Sequence, residues 1–198
     1  LNFFNKNGEW NSEIVFLDKD RVEVKFLNKV KEPSSSLNIE LAICLVKKNP
    51  METILQKATE LGVSKITPII SERTEVKELN YERAKKIVVE ATEQSNQLSP
   101  PEISNVIKLK DFLNNLDSST KLLFADVNSK DNLKKEISSE VKSFSVLIGP
   151  EGDFSPSERE LILQTSNIIP FTLSKNILRS DTAVISAISL VNFINNIH

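Results

Sequence analysis

The chain has 198 residues, 25 Lys and Arg against 27 Asp and Glu, a net charge of −2 and 39% hydrophobic residues. At about 150 residues per domain this is one domain and a fragment, or two small ones, and the near-neutral charge leaves only local basic patches to bind a nucleic acid. With one cysteine, Cys44, and one histidine, the terminal His198, the chain has no basis for an internal disulfide, a Ser-His-Asp triad or a Cys- or HExxH-type zinc site, so no metal is expected.

Taken in order, the chain opens on Leu1 instead of Met, which predicts that residues precede it. It shows neither a signal peptide nor an apolar run of the roughly 18 residues a membrane helix needs, so a cytoplasmic protein is expected. Trp10, Ile14 and Phe16 precede the turn Asp18-Lys19-Asp20. Val22, Val24 and Phe26 then alternate with charged residues, which predicts a β-hairpin. A lone hairpin is marginal and requires a packing partner. The polar, Pro/Ser stretch Lys31 to Leu37 predicts a boundary between residues 1–36 and 37–198.

Beyond it the period changes. A strand is predicted over Ile39–Val46. A helix carries Met51, Ile54, Leu55, Ala58 and Leu61 and ends at Gly62, where a C-terminal cap belongs. Val63–Ile70 reads as a strand with an edge or irregularity at Pro68. Tyr81–Gln97 reads as a helix stopped before Pro100-Pro101. A short helix follows over 110–116. Strands over Leu122–Val127, Phe144–Ile148 and Ile168–Leu173 alternate with helices over Asn132–Val141, Pro156–Thr165 and Thr182–Asn195. This alternation predicts an α/β fold with a mostly parallel sheet.

Two strand-to-helix junctions carry the candidate chemistry. In Ile148-Gly149-Pro150-Glu151-Gly152-Asp153-Phe154-Ser155-Pro156, Ser155 reads as a helix N-cap, Pro156 as the first helical residue and Glu158 as the partner in a capping box. The two glycines either make a mere tight turn or admit a ligand close to the backbone, and ligands of open α/β sheets sit at the carboxyl ends of strands. Neither GxxxxGK[ST] nor GxGxxG is present. The second junction runs from Leu173 to Ala183. Its Ile177 and Leu178 either plug the core or form an apolar slot for a flat ring, and its Arg179 either faces that site or pairs with Asp181. Glu90, Glu93, Gln94 and Gln97 mark a polar helix face. Glu60 and Arg73 form a candidate structural ion pair. Lys47 and Lys48 are candidate phosphate contacts.

The segments Leu55-Gln56-Lys57-Ala58-Thr59-Glu60-Leu61-Gly62-Val63, Ser71-Glu72-Arg73-Thr74, Glu93-Gln94-Ser95, Ile148-Gly149-Pro150-Glu151-Gly152 and Ile177-Leu178-Arg179-Ser180-Asp181-Thr182-Ala183 occur in this order. Together they resemble the RsmE-type 16S ribosomal RNA (uracil-N3) methyltransferase family of the SPOUT superfamily. The hairpin Glu9–Asn28 resembles the end of that family's N-terminal PUA-like β-barrel. The resemblance implies a SPOUT-type α/β knot, with a mostly parallel sheet and a C-terminal trefoil knot, preceded by a partial PUA-like β-barrel that binds RNA. It implies a homodimer, S-adenosylmethionine as cofactor, and methylation of N3 of one uridine in the 16S ribosomal RNA of the small subunit.

Carried onto this chain, the resemblance assigns the cofactor to Leu123, Phe124, Ala125, Gly149, Pro150, Glu151, Gly152, Leu173, Ile177, Leu178, Thr182 and Ala183. Arg73, Lys47 and Lys48 are the candidate RNA contacts. Uracil N3 must lose its proton, which makes Arg179 the candidate for stabilising the resulting charge and Glu93 the candidate for holding the proton. Asp153 and Ser174 stand where the family has glycines, Asp181 where it has Glu, and Gln97 where an arginine is usual. Asp tolerates positive φ, so the turn at Asp153 is expected to survive. A methyltransferase of the same superfamily acting on transfer RNA, and a non-catalytic RNA-binding relative, are the alternatives.

Overall fold

The computed structural model describes residues 1–33, 37–129, 133, 141 and 143–196. Its first unit is an antiparallel sheet of β1 (Asn2–Asn5), β2 (Gly8–Leu17) and β3 (Val22–Lys31), in that order. The predicted hairpin is β2–β3, closed where the Asp18 N–H donates to the Arg21 carbonyl at 2.8 Å. Its packing partner, β1, carries too little periodicity in four residues to be read from sequence. Phe3, Trp10 and Phe26 meet edge-on at 6.0–6.1 Å between ring centroids, and the Lys29 ammonium lies 5.4 Å from the Trp10 ring.

The second unit is the expected parallel sheet. Its strands β4 (Asn38–Cys44), β5 (Lys65–Ile70), β6 (Glu102–Ile103), β7 (Ile107–Lys108), β8 (Lys121–Ala125), β9 (Ser143–Ile148) and β10 (Ile168–Phe171) all run the same way. The order is β10-β8-β9-β4-β5-β6, with β7 also pairing β5. Pro68 produces the irregularity expected of it. β6 pairs with Lys65 and Ile66 and β7 with Ile69 and Ile70, so the outer ladder is broken beside Thr67 and Pro68. There a missing N–H leaves no partner wanting.

Helices cover both faces, as a parallel sheet requires. On one side lie α1 (Lys48–Glu60), α2 (Tyr81–Gln94) and α5 (Ser180–Asn196). Their buried residues include Ile54, Leu55, Ile87, Val88, Val184, Ile188 and Val191, packed with Leu41, Ile43, Val146 and Ile148. On the other side α3 (Leu109–Asn114) and α4 (Pro156–Leu163) bring Leu109, Phe112 and Ile162 onto Ala42, Leu122, Phe124 and Leu147. Each such buried Val, Leu, Ile or Phe side chain contributes roughly 1.5–3 kcal/mol. The predicted helix over Asn132–Val141 lies almost wholly outside the described residues.

The helix ends follow local chemistry. Gly62, at φ 85°, caps α1: its N–H donates to the Thr59 carbonyl and that of Val63 to the Ala58 carbonyl, the paired bonds of a Schellman motif. Gln97 is no helix residue. Asn96 adopts φ 54° and ends α2 by the same motif, three residues before the predicted stop. The Gln97 amide then donates to the carbonyls of Thr59 and Glu60, and the Asn192 amide to that of Leu61 at 2.7 Å. These bonds satisfy the last carbonyls of α1.

At α4 the capping box is complete. The Glu158 N–H donates to Ser155 Oγ at 3.2 Å and the Ser155 N–H to Glu158 Oε2 at 3.1 Å, with Pro156 opening the helix. Ser155→Ala is expected to cost about 1 kcal/mol in urea denaturation with an unchanged m-value. An unshifted midpoint would show that this cap does not hold the helix.

Candidate active site

A parallel sheet puts every strand-to-helix junction at one edge. Three neighbouring junctions there form a cavity of about 470 Å³, lined by Ala125–Val127 at the end of β8, Ile148–Asp153 at the end of β9, and Thr172–Ser174, Asn176–Ser180 and Ala183 after β10. This is an ordinary volume for a small-molecule site. Of the residues proposed from sequence, Ala125, Gly149, Pro150, Glu151, Gly152, Leu173, Ile177, Leu178, Arg179 and Ala183 line it together.

Others stand elsewhere. Leu123 and Phe124 are fully buried inside β8, with the Phe124 ring 5.7 Å from that of Phe154. Thr182 is outside the lining, its N–H on the Asp181 carboxylate at 2.8 Å. Glu93 is exposed on α2, beside grooves unconnected with this cavity. Lys47 and Lys48 are exposed at the carboxyl end of β4, where Lys47 precedes α1 and lies 4.0 Å from Glu75. Arg73 is on the corner after β5 and donates to the Gly152 carbonyl at 2.9 Å. The expected Glu60–Arg73 pair does not form; Glu60 pairs with Lys57 at 2.8 Å.

The loops are held by their own sequence. Asp153 takes φ 59°, its N–H donates to the Pro150 carbonyl and its carboxylate accepts the Phe154 N–H at 2.8 Å. An aspartate therefore serves at a left-handed position, as expected. Packing is tight at Gly149: a Cβ there would stand 3.0 Å from the Phe154 ring, which would have to shift to admit it. Leu178 is half-buried against the core, whereas Ile177 is 90% exposed, so the core-plug reading fails for Ile177. Arg179 is 77% exposed at the cavity rim and also lies 3.8 Å from Asp181, so both readings of it hold at once.

Sequence reading missed the buried carboxylate of the site. Asp126, only 4% exposed, lines the cavity and accepts from Arg159 Nε at 3.1 Å and Nη2 at 2.6 Å. This bond is the main reason the Arg159 guanidinium is held above its ordinary pKa. The available signal was a carboxylate directly after a buried strand. Cys44, by contrast, is buried beneath the edge, and burial pushes its thiol up to about 12, against the lowering by Ser71 and Thr74 hydroxyls. It is a core residue, not a nucleophile.

The family described as RNA methyltransferase domain matches residues 32–192. The Ribosomal RNA small subunit methyltransferase E of Rickettsia conorii is 34% identical over 203 aligned positions, covering 99% of this chain and 81% of that protein. The chain belongs to the ribosomal RNA small subunit methyltransferase E family. The Aquifex aeolicus member is 35% identical, covering 89% of this chain and 78% of that protein. Among solved structures, a Ribosomal RNA small subunit methyltransferase E from Neisseria gonorrhoeae bound to S-adenosyl methionine superposes with a TM-score of 0.89 at 29% identity, covering 98% of this chain and 82% of that one.

For this family member the glycines separate cleanly. A Cβ at Gly152 would make only ordinary contact, 3.8 Å from Arg73 Cβ. Gly149→Ala is therefore expected to destabilise by about 1–3 kcal/mol, and Gly152→Ala by about 0.5 kcal/mol or less, in thermal melts. Equal losses would refute the packing account. Cys44 is expected to resist iodoacetamide at pH 8 until the protein unfolds. Native-state labelling at the rate of a free thiol would show that the strand edge opens.

Proposed function

We propose that this chain uses S-adenosylmethionine to methylate N3 of a uridine in the 16S ribosomal RNA of the small subunit. The observation that carries the reading is the convergence of the Gly149–Gly152 and Ile177–Ala183 segments on one cavity at the sheet edge. In this reading the chain is an S-adenosylmethionine-dependent ribosomal RNA methyltransferase.

The residues fit the cofactor. Leu173, Leu178, Ala125 and Ala183 offer an apolar slot suited to a flat ring. Among the described residues, the backbone N–H groups of Ile177 and Leu178 have no protein acceptor, which leaves them to read a ring edge. The Asp126 carboxylate and the Thr172 and Ser174 side chains supply polar positions. S-adenosylmethionine supplies a methyl group already activated on a sulfonium. Arg179, exposed at the rim, stabilises the negative charge that builds on the uracil oxygens as N3 loses its proton. Glu93 stands outside this cavity, so the proposal gives it no part in the chemistry at its own chain's site.

The three cavity loops form a trefoil knot. Residues 1–36 are the end of a PUA-like β-barrel and bind RNA, with residues 37–198 as the methyltransferase domain. Lys47 and Lys48 contact phosphates from the same sheet edge as the cavity. The protein works as a homodimer in the cytoplasm. Among the described residues no helix is long and apolar enough to cross a membrane.

Calorimetric titration with S-adenosylmethionine and its demethylated product is expected to show one saturable site per chain. Incubation with small ribosomal subunits lacking the modification is expected to yield N3-methyluridine. Binding without that product, with transfer RNA methylated instead, would replace the substrate; no binding by folded protein would favour a non-catalytic relative. Arg179→Ala is expected to cut turnover roughly 100-fold with little change in cofactor affinity, and unchanged turnover would remove Arg179 from the chemistry.

A further inference from the structure

The corner after β5 is built to hold its shape. The Ser71 N–H donates to Thr74 Oγ1 at 2.9 Å, the Thr74 N–H to the Ser71 carbonyl at 3.2 Å, and the two hydroxyls are 2.8 Å apart. Both residues are buried, so the bonds are shielded from water. Between them Glu72 and Arg73 project from the corner, and each is tied to the β9–α4 segment. The Glu72 N–H donates to Glu158 Oε1 at 2.8 Å, while the other oxygen of that carboxylate takes the Ser155 N–H. Glu158 is 9% exposed and bridges two loops with one side chain. Arg73 makes the second tie, Nη1 to the Gly152 carbonyl at 2.9 Å, with its aliphatic stem along the space a Gly152 Cβ would occupy. β5 is separated from β9 by β4, so these ties cross the top of an intervening strand.

We propose that Arg73 is a positioning residue for cofactor binding: carried on the corner that Glu158 anchors, it fixes the Gly152 carbonyl and with it the loop that lines the cavity. The proposal rests on reading that cavity as the S-adenosylmethionine site. Its physical basis is preorganisation. A loop already held in its binding form gives up less conformational freedom when a ligand arrives. Gly149, Gly152 and the left-handed turn at Asp153 make this loop responsive to such a restraint, because glycine explores more backbone conformations than other residues. The role differs from an RNA contact, in which the guanidinium points at a phosphate and the cofactor loop is indifferent to its loss.

The test uses the full chain, Arg73→Ala and Arg73→Lys. Hydrogen–deuterium exchange without ligand is expected to show the Asp153 amide exchanging several-fold faster in Arg73→Ala, with the sheet amides unaffected. Calorimetry is expected to show S-adenosylmethionine and its demethylated product bound about 10-fold more weakly. Arg73→Lys is expected to recover part of that affinity, since an ammonium also donates to a carbonyl. Unchanged exchange at Asp153 overturns the proposal. So does unchanged cofactor affinity in Arg73→Ala with weaker binding of small ribosomal subunits, the signature of an RNA contact. Absence of cofactor binding by the unsubstituted chain overturns the functional reading itself, and is distinguished by appearing before any substitution is made.

Discussion

The whole arrangement depends on strand direction. Because all the strands of the larger sheet are parallel, every β-to-α junction reaches the same edge. Loops far apart in sequence are neighbours there by construction. Lys47, Arg73, Asp126, the Gly149–Asp153 loop and Arg179 share that edge, although they come from different junctions. The same constraint demands helices on both faces, and the helices in turn must begin at the edge where the cavity lies. Fold and site are thus two consequences of one geometric rule.

Within that rule, α4 does more than cover a face. Its first turn holds Glu158 and Arg159 in succession. The first joins the corner after β5 to the start of the helix, and the second grips Asp126 after β8. A carboxylate buried this deeply is tolerable only when donors surround it, and both carboxylates have them. The buried charge is therefore structural cross-bracing between loops, placed where the cavity needs a rigid wall. Arg73 extends the bracing to the loop after β9.

Local signals in the sequence read through to the structure where a single turn of chain decides the outcome. The capping box at Ser155 and Glu158, the glycine cap at Gly62, the left-handed Asp153 and the irregularity at Pro68 all needed only their immediate neighbours. Long-range roles were illegible. Gln97 reads as one more polar residue on a helix, yet it closes the end of another helix 37–38 residues earlier. Leu123 and Phe124 belong to the strand beneath the cavity, and being adjacent to Ala125 says nothing of which side chain reaches the surface. Asp126 looks like the polar end of a strand until α4 is packed beside it. Strand β1 has no pattern of its own and exists because β2 offers it an edge. Of the five family segments, only Ser71–Thr74, Ile148–Gly152 and Ile177–Ala183 lie at the cavity edge, while Leu55–Val63 and Glu93–Ser95 are the ends of α1 and α2.

The two rarest aromatic residues are divided between the two units. Trp10, the one tryptophan of the chain, stands in the small antiparallel sheet under the Lys29 ammonium. Tyr81, the one tyrosine, starts α2, and its hydroxyl accepts the Val106 N–H at 2.8 Å and donates to the Ser104 carbonyl at 3.3 Å, bridging to the β6–β7 border of the parallel sheet. Indole emission, excited at wavelengths too long for a phenol to absorb, therefore comes from the small sheet alone, so loosening of that sheet leaves a spectral trace the larger one cannot mimic.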